Sequence, residues 1–245
     1  MEINGKNVPR LRQVADLERA TEKKAHESWN MFTIMAEFID STERLSELRP
    51  AVSIFGSART RPDDPYYALA IDIARRMSDA GFAVISGGGP GIMEAANKGA
   101  FEGSSPSVGL NIELPREQIS NPWQDISISF RHFFARKVAF VKHADAYIVL
   151  PGGLGTLDEL TEVLTLMQTG KSRRIPVILV GTAYWAGLVQ WLQQQMVGNG
   201  MIDQNDMELF KVIDEPVNIL NAIVDFYQEP SLLTPEDGRR TGAFL

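Results

Sequence analysis

Two glycine-rich segments, each lying between a short apolar run and a helical pattern, constrain the fold of this chain more than any other feature. The first, SGGGPG at 86–91, follows the run FAVIS, and the second, PGGLGT at 151–156, follows AYIVL. Similar apolar runs, separated by helical patterns, are AVSIF at 51–55, SVGLNI at 107–112 and IPVILVG at 175–181. Apolar strands that alternate with helices predict an α/β fold with a mostly parallel sheet covered on both faces.

The first 50 residues differ in composition from the rest of the chain. They are rich in charge, and apolar residues recur at spacings of three, four or six: Trp29, Phe32, Met35, Ile39 and Leu45. This spacing predicts an N-terminal helical extension at 1–50, with one or two amphipathic helices whose apolar stripe packs on the body or on another subunit. We predict the α/β domain at 51–228 and a C-terminal tail at 229–245, where turn-forming residues show no sustained period.

The composition excludes several classes of chemistry. The 245 residues include no Cys, so the chain has no disulfide, thiolate metal site or cysteine nucleophile. With 24 Lys and Arg against 31 Asp and Glu, the net charge of -7 argues against a nucleic-acid partner, because polyanion binding depends on neutralising phosphates. No apolar run reaches the roughly 18 residues that a membrane span requires. We expect a soluble, cytoplasmic protein that binds no metal, no nucleic acid and no membrane.

A glycine loop between a strand and a helix is suited to holding an anion. Residues without side chains let a ligand approach the main chain, and amides at the start of the next helix hold a phosphate or carboxylate. Two such loops in one sheet, with Gly56-Ser57 after a third strand, favour a nucleotide-sized anionic ligand over simple tight turns. Neither loop has the dehydrogenase pattern G-x-G-x-x-G, since Ile92 and Asp158 occupy the third glycine position, and the chain has no P-loop Gly-Lys-Ser/Thr.

Three segments together resemble a known family. SGGGPGIMEAANKGA at 86–100, FFARK at 133–137 and PGGLGTLDELTEVLTLMQTG at 151–170 are similar to the LOG family of cytokinin-activating phosphoribohydrolases, which is recognised by P-G-G-x-G-T-x-x-E and an upstream Arg-Lys. The similarity covers roughly residues 51–200. The resemblance implies a Rossmann-like three-layer fold, a homodimer or larger homo-oligomer, and no metal or organic cofactor. It also implies hydrolysis of the N-glycosidic bond of a nucleoside 5'-monophosphate, AMP or an N6-substituted AMP such as a cytokinin nucleotide, to free base and ribose 5-phosphate.

The resemblance also implies roles for individual residues. It makes Glu159 the catalytic carboxylate and Arg136 the catalytic cation. Phosphate would lie on the second loop, at Gly152, Gly153, Gly155 and Thr156. Further residues would border the nucleotide: Ser57, Gly88, Gly89, Glu94 and Lys137. Phe133 stands where many members have Met, which leaves the shape of the base pocket open.

The chemistry of these residues agrees with this assignment, although each has a purely structural alternative. Breaking an N-glycosidic bond passes through an oxocarbenium-like state, which needs negative charge near the ribose and a positioned water. Glu159, one turn into the helix after the phosphate loop, suits that role, and Arg136 suits orientation and electrostatic stabilisation. Alternatively, Thr156-x-x-Glu159 is a helix capping box, and Arg136-Lys137 is part of a solvated helix face.

Two rival functions stay open from the sequence. A similar fold could serve a non-catalytic nucleotide or molybdenum-cofactor carrier, since glycine loops alone do not separate a carrier from an enzyme. The label "lysine decarboxylase-like", which members of the family often carry, implies a pyridoxal-phosphate enzyme. Such an enzyme needs a lysine Schiff base, for which this sequence offers no identifiable local context.

Overall fold

The computed structural model describes residues 2–3, 6–7, 22–114 and 120–228, with side chains from residue 31 onward. The chain divides into two compact units, Met1–Glu43 and Arg44–Leu245. The tail expected at 229–245 and the side chain of Trp29 lie outside the described part.

The N-terminal unit contains a small two-stranded sheet and most of one long helix. Strand β1 (Glu2–Ile3) pairs antiparallel with β2 (Lys6–Asn7). Helix α1 (Glu22–Leu45) has 24 residues, which confirms a helical extension. Its side chains Met31, Phe32, Met35 and Ile39 are each more than half exposed.

Seven parallel strands form the sheet of the larger unit, as the alternating pattern predicts. They are β3 (Ala51–Phe55), β4 (Ala83–Ser86), β5 (Ser107–Ile112), β6 (Ile126–Phe130), β7 (Ala146–Val149), β8 (Val177–Leu179) and β9 (Lys211–Val212). Their spatial order is β6-β5-β4-β3-β7-β8-β9, and all six neighbouring pairs are parallel.

Helices lie between or after these strands. They are α2 (Pro65–Asp79), α3 (Ile92–Phe101), α4 (Phe133–His143), α5 (Leu154–Gln168), α6 (Thr182–Trp191) and α7 (Pro216–Gln228). A π-helical turn (Leu192–Val197) and a 3-10 turn (Gln204–Leu209) follow α6.

Alternating residues of the central strands face two layers of helices. Val52 and Ile54 of β3 belong to a buried core that α2, α3 and α7 share. Phe55 points to the other face, where its ring lies 5.0 Å from that of Phe140 in α4. The fold is therefore the expected Rossmann-like three-layer α/β arrangement.

The chain reverses its direction across the sheet between β3 and β7. From β3 it adds β4, β5 and β6 on one side, and it then returns to place β7 beside β3. In open α/β sheets, ligands bind beyond the carboxyl ends of the strands at such a switch point. Among the described residues, none of the helices is both long and apolar enough to cross a membrane.

Candidate active site

Loops from three adjacent strands meet at the switch point. The loop after β3 is bonded to both glycine loops: the Ser57 amide donates to the Pro151 carbonyl at 3.0 Å, and the Ile92 amide donates to the Ser57 carbonyl at 3.0 Å. Gly91 has a φ of +69°, and a side chain there would lie 2.4 Å from the Ser57 carbonyl oxygen. The three loops therefore form one connected rim.

The first turn of α5 is open to solvent. Gly153 is the N-cap residue, and the helix starts at Leu154 without a side-chain capping bond. A Cβ placed on Gly153 or Gly155 would meet no atom within 4 Å. Because the first amides of a helix have no acceptor within it, this turn presents N–H donors and the positive end of the helix dipole to the space above.

This helix start excludes the capping-box alternative for Glu159. A capping box from Thr156 to Glu159 requires Thr156 to precede the helix, but Thr156 lies inside it and its side chain is buried. The helix begins earlier because Gly153 takes the N-cap position. The side chain of Glu159 is therefore available for another role.

Glu159 lines an open cavity of about 620 Å³ above the loops. Burial raises the pKa of its carboxyl group to about 7, although Lys137 and Arg136 act in the opposite direction, and Glu162 and Asp158 add to the rise. A carboxyl group with a pKa near neutrality is suited to taking up a proton at physiological pH.

Arg136 of α4 lies in the same cavity and is held by main-chain oxygens. Its Nε donates to the Leu110 carbonyl at 2.7 Å, and its Nη2 donates to the Gly87 carbonyl at 3.2 Å. Burial lowers the pKa of the guanidinium, an effect that Glu159 opposes. These bonds fix the plane of a charged group beside Glu159, so Arg136 is not a solvated surface residue.

Lys137, expected at the nucleotide, occupies a different place. Its Nζ lies 2.8 Å from Asp158 Oδ2 and 3.0 Å from Glu162 Oε2, and it is not among the described residues that line the cavity. Lys137 thus connects α4 to the acidic residues on either side of Glu159.

The first glycine loop contributes a different glycine from those expected. Gly88 and Gly89 are buried, and their carbonyls accept hydrogen bonds from Asn121 and Gln124. Within the described chain neither lines the cavity, whereas Gly87 does. Gly88 and Gly89 therefore shape the loop.

Two further expected residues also lie away from the cavity wall. Glu94 lies near Tyr67, whose pKa is raised by burial and further by the charge of Glu94. The Gly152 carbonyl accepts a hydrogen bond of 2.5 Å from the Tyr184 hydroxyl. A Cβ on Gly152 would lie 2.0 Å from Thr156 Oγ1, so this glycine makes room for the first turn of α5.

The structure brings most of the expected residues together and adds others. The expected residues that line the cavity are Ser57, Arg136, Gly153, Gly155, Thr156 and Glu159. Apolar side chains, including Phe133, form part of the wall: Phe55, Met93, Ile112, Leu114, Phe133, Phe140 and Leu154. Arg59 and Gly87 were not expected in the cavity, although the position of Arg59 in the loop that starts at Gly56 after a strand was an available signal.

The fold and the cavity define a Rossmann-like α/β protein whose switch point carries an open helix start, an arginine and a glutamate. A family model described as "Possible lysine decarboxylase" matches residues 93–223. The chain belongs to this family, which is the LOG family.

Curated relatives carry phosphoribohydrolase names. The chain is 27% identical over 177 residues to the probable cytokinin riboside 5'-monophosphate phosphoribohydrolase LOG4 of Oryza sativa subsp. japonica, covering 71% of this chain and 76% of the relative. It is 33% identical over 132 residues to cytokinin riboside 5'-monophosphate phosphoribohydrolase LOG of the same plant, covering 52% and 53%. For LOG3 of Arabidopsis thaliana the identity is 26% over 162 residues, covering 64% and 74%.

Solved structures support the fold. The molybdenum cofactor carrier protein of Chlamydomonas reinhardtii matches with a TM-score of 0.55 and 18% identity, over 74% of this chain and 99% of that protein. The molybdenum cofactor binding protein of Rippkaea orientalis gives 0.51 and 22%, over 73% and 97%. Because these identities are low, the two matches support the shared fold and not a shared function.

The family description implies pyridoxal phosphate, but the residues present do not fit that cofactor. A Schiff base requires a lysine facing the cavity. Among the described residues no lysine lines it, and the nearby Lys137 is paired with two carboxylates.

Proposed function

We propose that this protein hydrolyses the N-glycosidic bond of a nucleoside 5'-monophosphate, AMP or an N6-substituted AMP, to the free base and ribose 5-phosphate. One observation carries this proposal: Glu159, with its pKa raised to about 7, lines the same cavity as Arg136 and the open first turn of α5. The names of the curated relatives support the same reaction class.

The first turn of α5 would hold the 5'-phosphate. Its amides lack acceptors within the helix, and Gly153 and Gly155 leave free space above the main chain. A phosphate held there places the attached ribose over the next turn, where Glu159 lies. Anchoring the phosphate converts the attack of water on the sugar into a reaction within one complex.

Glu159 would act as the base and as the negative charge beside the sugar. In its ionised form it accepts a proton from water, whose oxygen bonds to C1' of the ribose. The C1'–N bond breaks, its electron pair leaves with the base, and the base takes a proton from solvent. The carboxylate also stabilises the positive charge that develops on the ribose ring.

Arg136 would orient the substrate. Two of its N–H groups are bonded to the Leu110 and Gly87 carbonyls, so the remaining donors have a fixed direction. A guanidinium does not lose its proton, which suits it to binding ribose oxygens and not to protonating the base. The apolar wall that includes Phe133, Ile112 and Leu114 would receive the base.

Release of adenine from AMP tests the proposal. Purified protein is incubated with AMP, and adenine and ribose 5-phosphate are separated by chromatography, with adenosine as the unphosphorylated control. We expect release from AMP that far exceeds release from adenosine, and loss of most of it in Glu159→Gln. If no common nucleoside monophosphate yields free base, the hydrolase proposal fails, and binding without turnover would favour a carrier.

Assembly of the protein belongs to the same proposal. We expect a homodimer or larger homo-oligomer, because Phe133, Phe134 and Leu154 near the cavity are each at least half exposed. The mass in solution, measured by light scattering after gel filtration, tests this expectation, and a monomer at micromolar concentration contradicts it.

A further inference from the structure

We propose that Arg59 is a binding residue for the 5'-phosphate and that its charge makes the site select phosphorylated nucleotides over nucleosides. The inference rests on the proposed function and deepens it. Neither the glycine loops nor Arg136, which donates to the Leu110 and Gly87 carbonyls, supplies a cation dedicated to the phosphate.

Arg59 shares a cavity wall with the start of α5. It follows β3 and lines the same cavity as Gly153, Gly155 and Glu159. Its amide donates to Ser57 Oγ at 3.0 Å, and the Ser57 amide donates to Pro151 in the second glycine loop at 3.0 Å. These bonds tie the main chain of Arg59 to the loop that precedes α5.

The other groups around the cavity would not neutralise the charge of a bound phosphate. The protein has a net charge of -7, and both Asp158 and Glu159 line the cavity. A phosphate dianion near these carboxylates is repelled unless a cation lies close to it. The amides of α5 offer only the partial charge of a helix end, equivalent to roughly half an elementary charge.

The other cations near the cavity are already engaged. Arg136 donates to two carbonyls, and its remaining donors are assigned to the ribose in the proposed function. Lys137 is paired with Asp158 and Glu162. Within the described part of the chain, the guanidinium of Arg59 has no hydrogen bond or ion pair, and it is the remaining basic group on the cavity wall. Arginine can donate two parallel hydrogen bonds to phosphate oxygens, because its guanidinium is planar and rigid.

The same loop supplies a matched control. Arg61 lies two residues further along, but its Nε is 3.2 Å from Asp63 Oδ1, its side chain is 80% exposed, and it does not line the cavity. Replacing Arg61 removes the same charge from the same loop and leaves the cavity unchanged.

Kinetics of Arg59→Ala and Arg61→Ala with AMP and adenosine test the inference. For Arg59→Ala we expect the KM for AMP to rise roughly 10- to 100-fold, the range for a lost hydrogen bond to a charged group, with kcat changed less than threefold or so. The kcat/KM for adenosine stays the same, so the preference for the phosphorylated substrate falls by the same factor. Arg59→Lys recovers part of the loss, and Arg61→Ala matches the parent protein.

Two results overturn the inference. An unchanged KM for AMP in Arg59→Ala would show that Arg59 does not contact the phosphate. An equal loss with AMP and adenosine reduces Arg59 to a structural role in the loop.

A binding measurement separates this inference from the hydrolase proposal. If the parent protein releases no base, calorimetric titration with ribose 5-phosphate still tests Arg59, with ribose as the control ligand. Weaker binding of ribose 5-phosphate by Arg59→Ala than by Arg61→Ala supports the phosphate contact. Equal binding by the two variants, or no binding by the parent protein, overturns it.

Discussion

The guanidinium of Arg136 occupies the space that a side chain on Gly87 would need. A Cβ built on Gly87 would lie 2.4 Å from Arg136 Nη2 and 2.5 Å from Met93 Sδ, and the Gly87 carbonyl accepts a hydrogen bond from the same Nη2. Gly87 therefore gives Arg136 both room and an acceptor. This glycine acts on the site through another residue.

Replacing Gly87 by alanine is expected to slow catalysis without unfolding the protein. The added methyl group displaces the ends of Arg136 and Met93, and a misplacement of about 1 Å at a catalytic group lowers kcat roughly 10- to 100-fold. Steady-state kinetics with AMP measure the loss, and circular dichroism reports the fold. Gly187→Ala is the control, because Gly187 is exposed within α6 and has open space around it. That variant keeps its kcat and gains roughly 0.5–1 kcal/mol of stability. Parent-like kcat in Gly87→Ala would show that Arg136 does not depend on this space.

The rate is expected to rise with pH through the pKa of Glu159. In the proposed function the base is the ionised form of Glu159, whose pKa is about 7, so kcat is expected to increase up to about pH 7 and to level off above it. Glu159→Gln removes most of the activity at every pH. A profile that is flat from pH 5 to 9 contradicts the assignment of Glu159 as the base.

The same pKa predicts a change in stability. The pKa of Glu159 is higher in the folded protein than its ordinary 4.5. Ionisation of this group therefore lowers the free energy of unfolding as pH rises from about 4.5 to about 7. Glu159→Gln is not subject to this loss, so above pH 7 it is expected to be more stable than the parent protein by roughly 1–3 kcal/mol, and close to it at pH 4.5. Urea unfolding at the two pH values measures the difference, with the exposed Glu208 changed to Gln as the control.

Removing the charge of Lys137 is expected to shift the pH profile of the reaction. Lys137 lowers the pKa of Glu159, and its bonds to Asp158 and Glu162 join α4 to α5. In Lys137→Met the midpoint of the kcat profile therefore moves to higher pH, and activity lost at pH 7 returns in part at pH 9. Lys137→Arg restores the parent midpoint, and Lys171→Met, at an exposed lysine, leaves it in place. A uniform loss at all pH values would mean that Lys137 acts on packing alone.

Phe133 is expected to affect binding of the base and not binding of the phosphate. Its ring lines the cavity, whereas the adjacent Phe134 does not line it and is similarly exposed, at 50% against 55%. Phe133→Ala is expected to raise the KM for an N6-isopentenyl AMP roughly 5- to 30-fold, since apolar contact area is lost, and to raise that for AMP less. Phe134→Ala is the control and keeps both values. Equal changes of KM in the two variants would show that Phe133 does not contact the base.

Local sequence patterns were sufficient to predict the sheet and the loops at its edge. The runs at 51–55, 83–86, 107–112 and 146–149 are buried on both faces and form adjacent strands, so their apolar character was continuous. The edge strand β6 was missed because Ser127 and Ser129 face solvent and interrupt the apolar run. Its partly polar pattern follows from its position at the border of the sheet.

The detailed roles of the site residues depend on contacts that no local pattern contains. Gly88 and Gly89 were expected at the ligand, but their carbonyls accept hydrogen bonds from Asn121 and Gln124, which lie beyond β5 in the chain. The Thr156–Glu159 pattern matches a capping box, yet the helix begins at Leu154. In both cases tertiary structure decided between two locally acceptable arrangements.

The pairing of β3 with β7 joins two segments that lie far apart in the chain. Val52 lies beside Ala146, so the loop carrying Arg59 emerges from the ribosome long before its partner loop and Glu159. A nascent chain that ends before α5 lacks both the start of that helix and Glu159. The complete cavity can therefore form only after the second half of the sheet has been synthesised, and its appearance would report docking of the two halves.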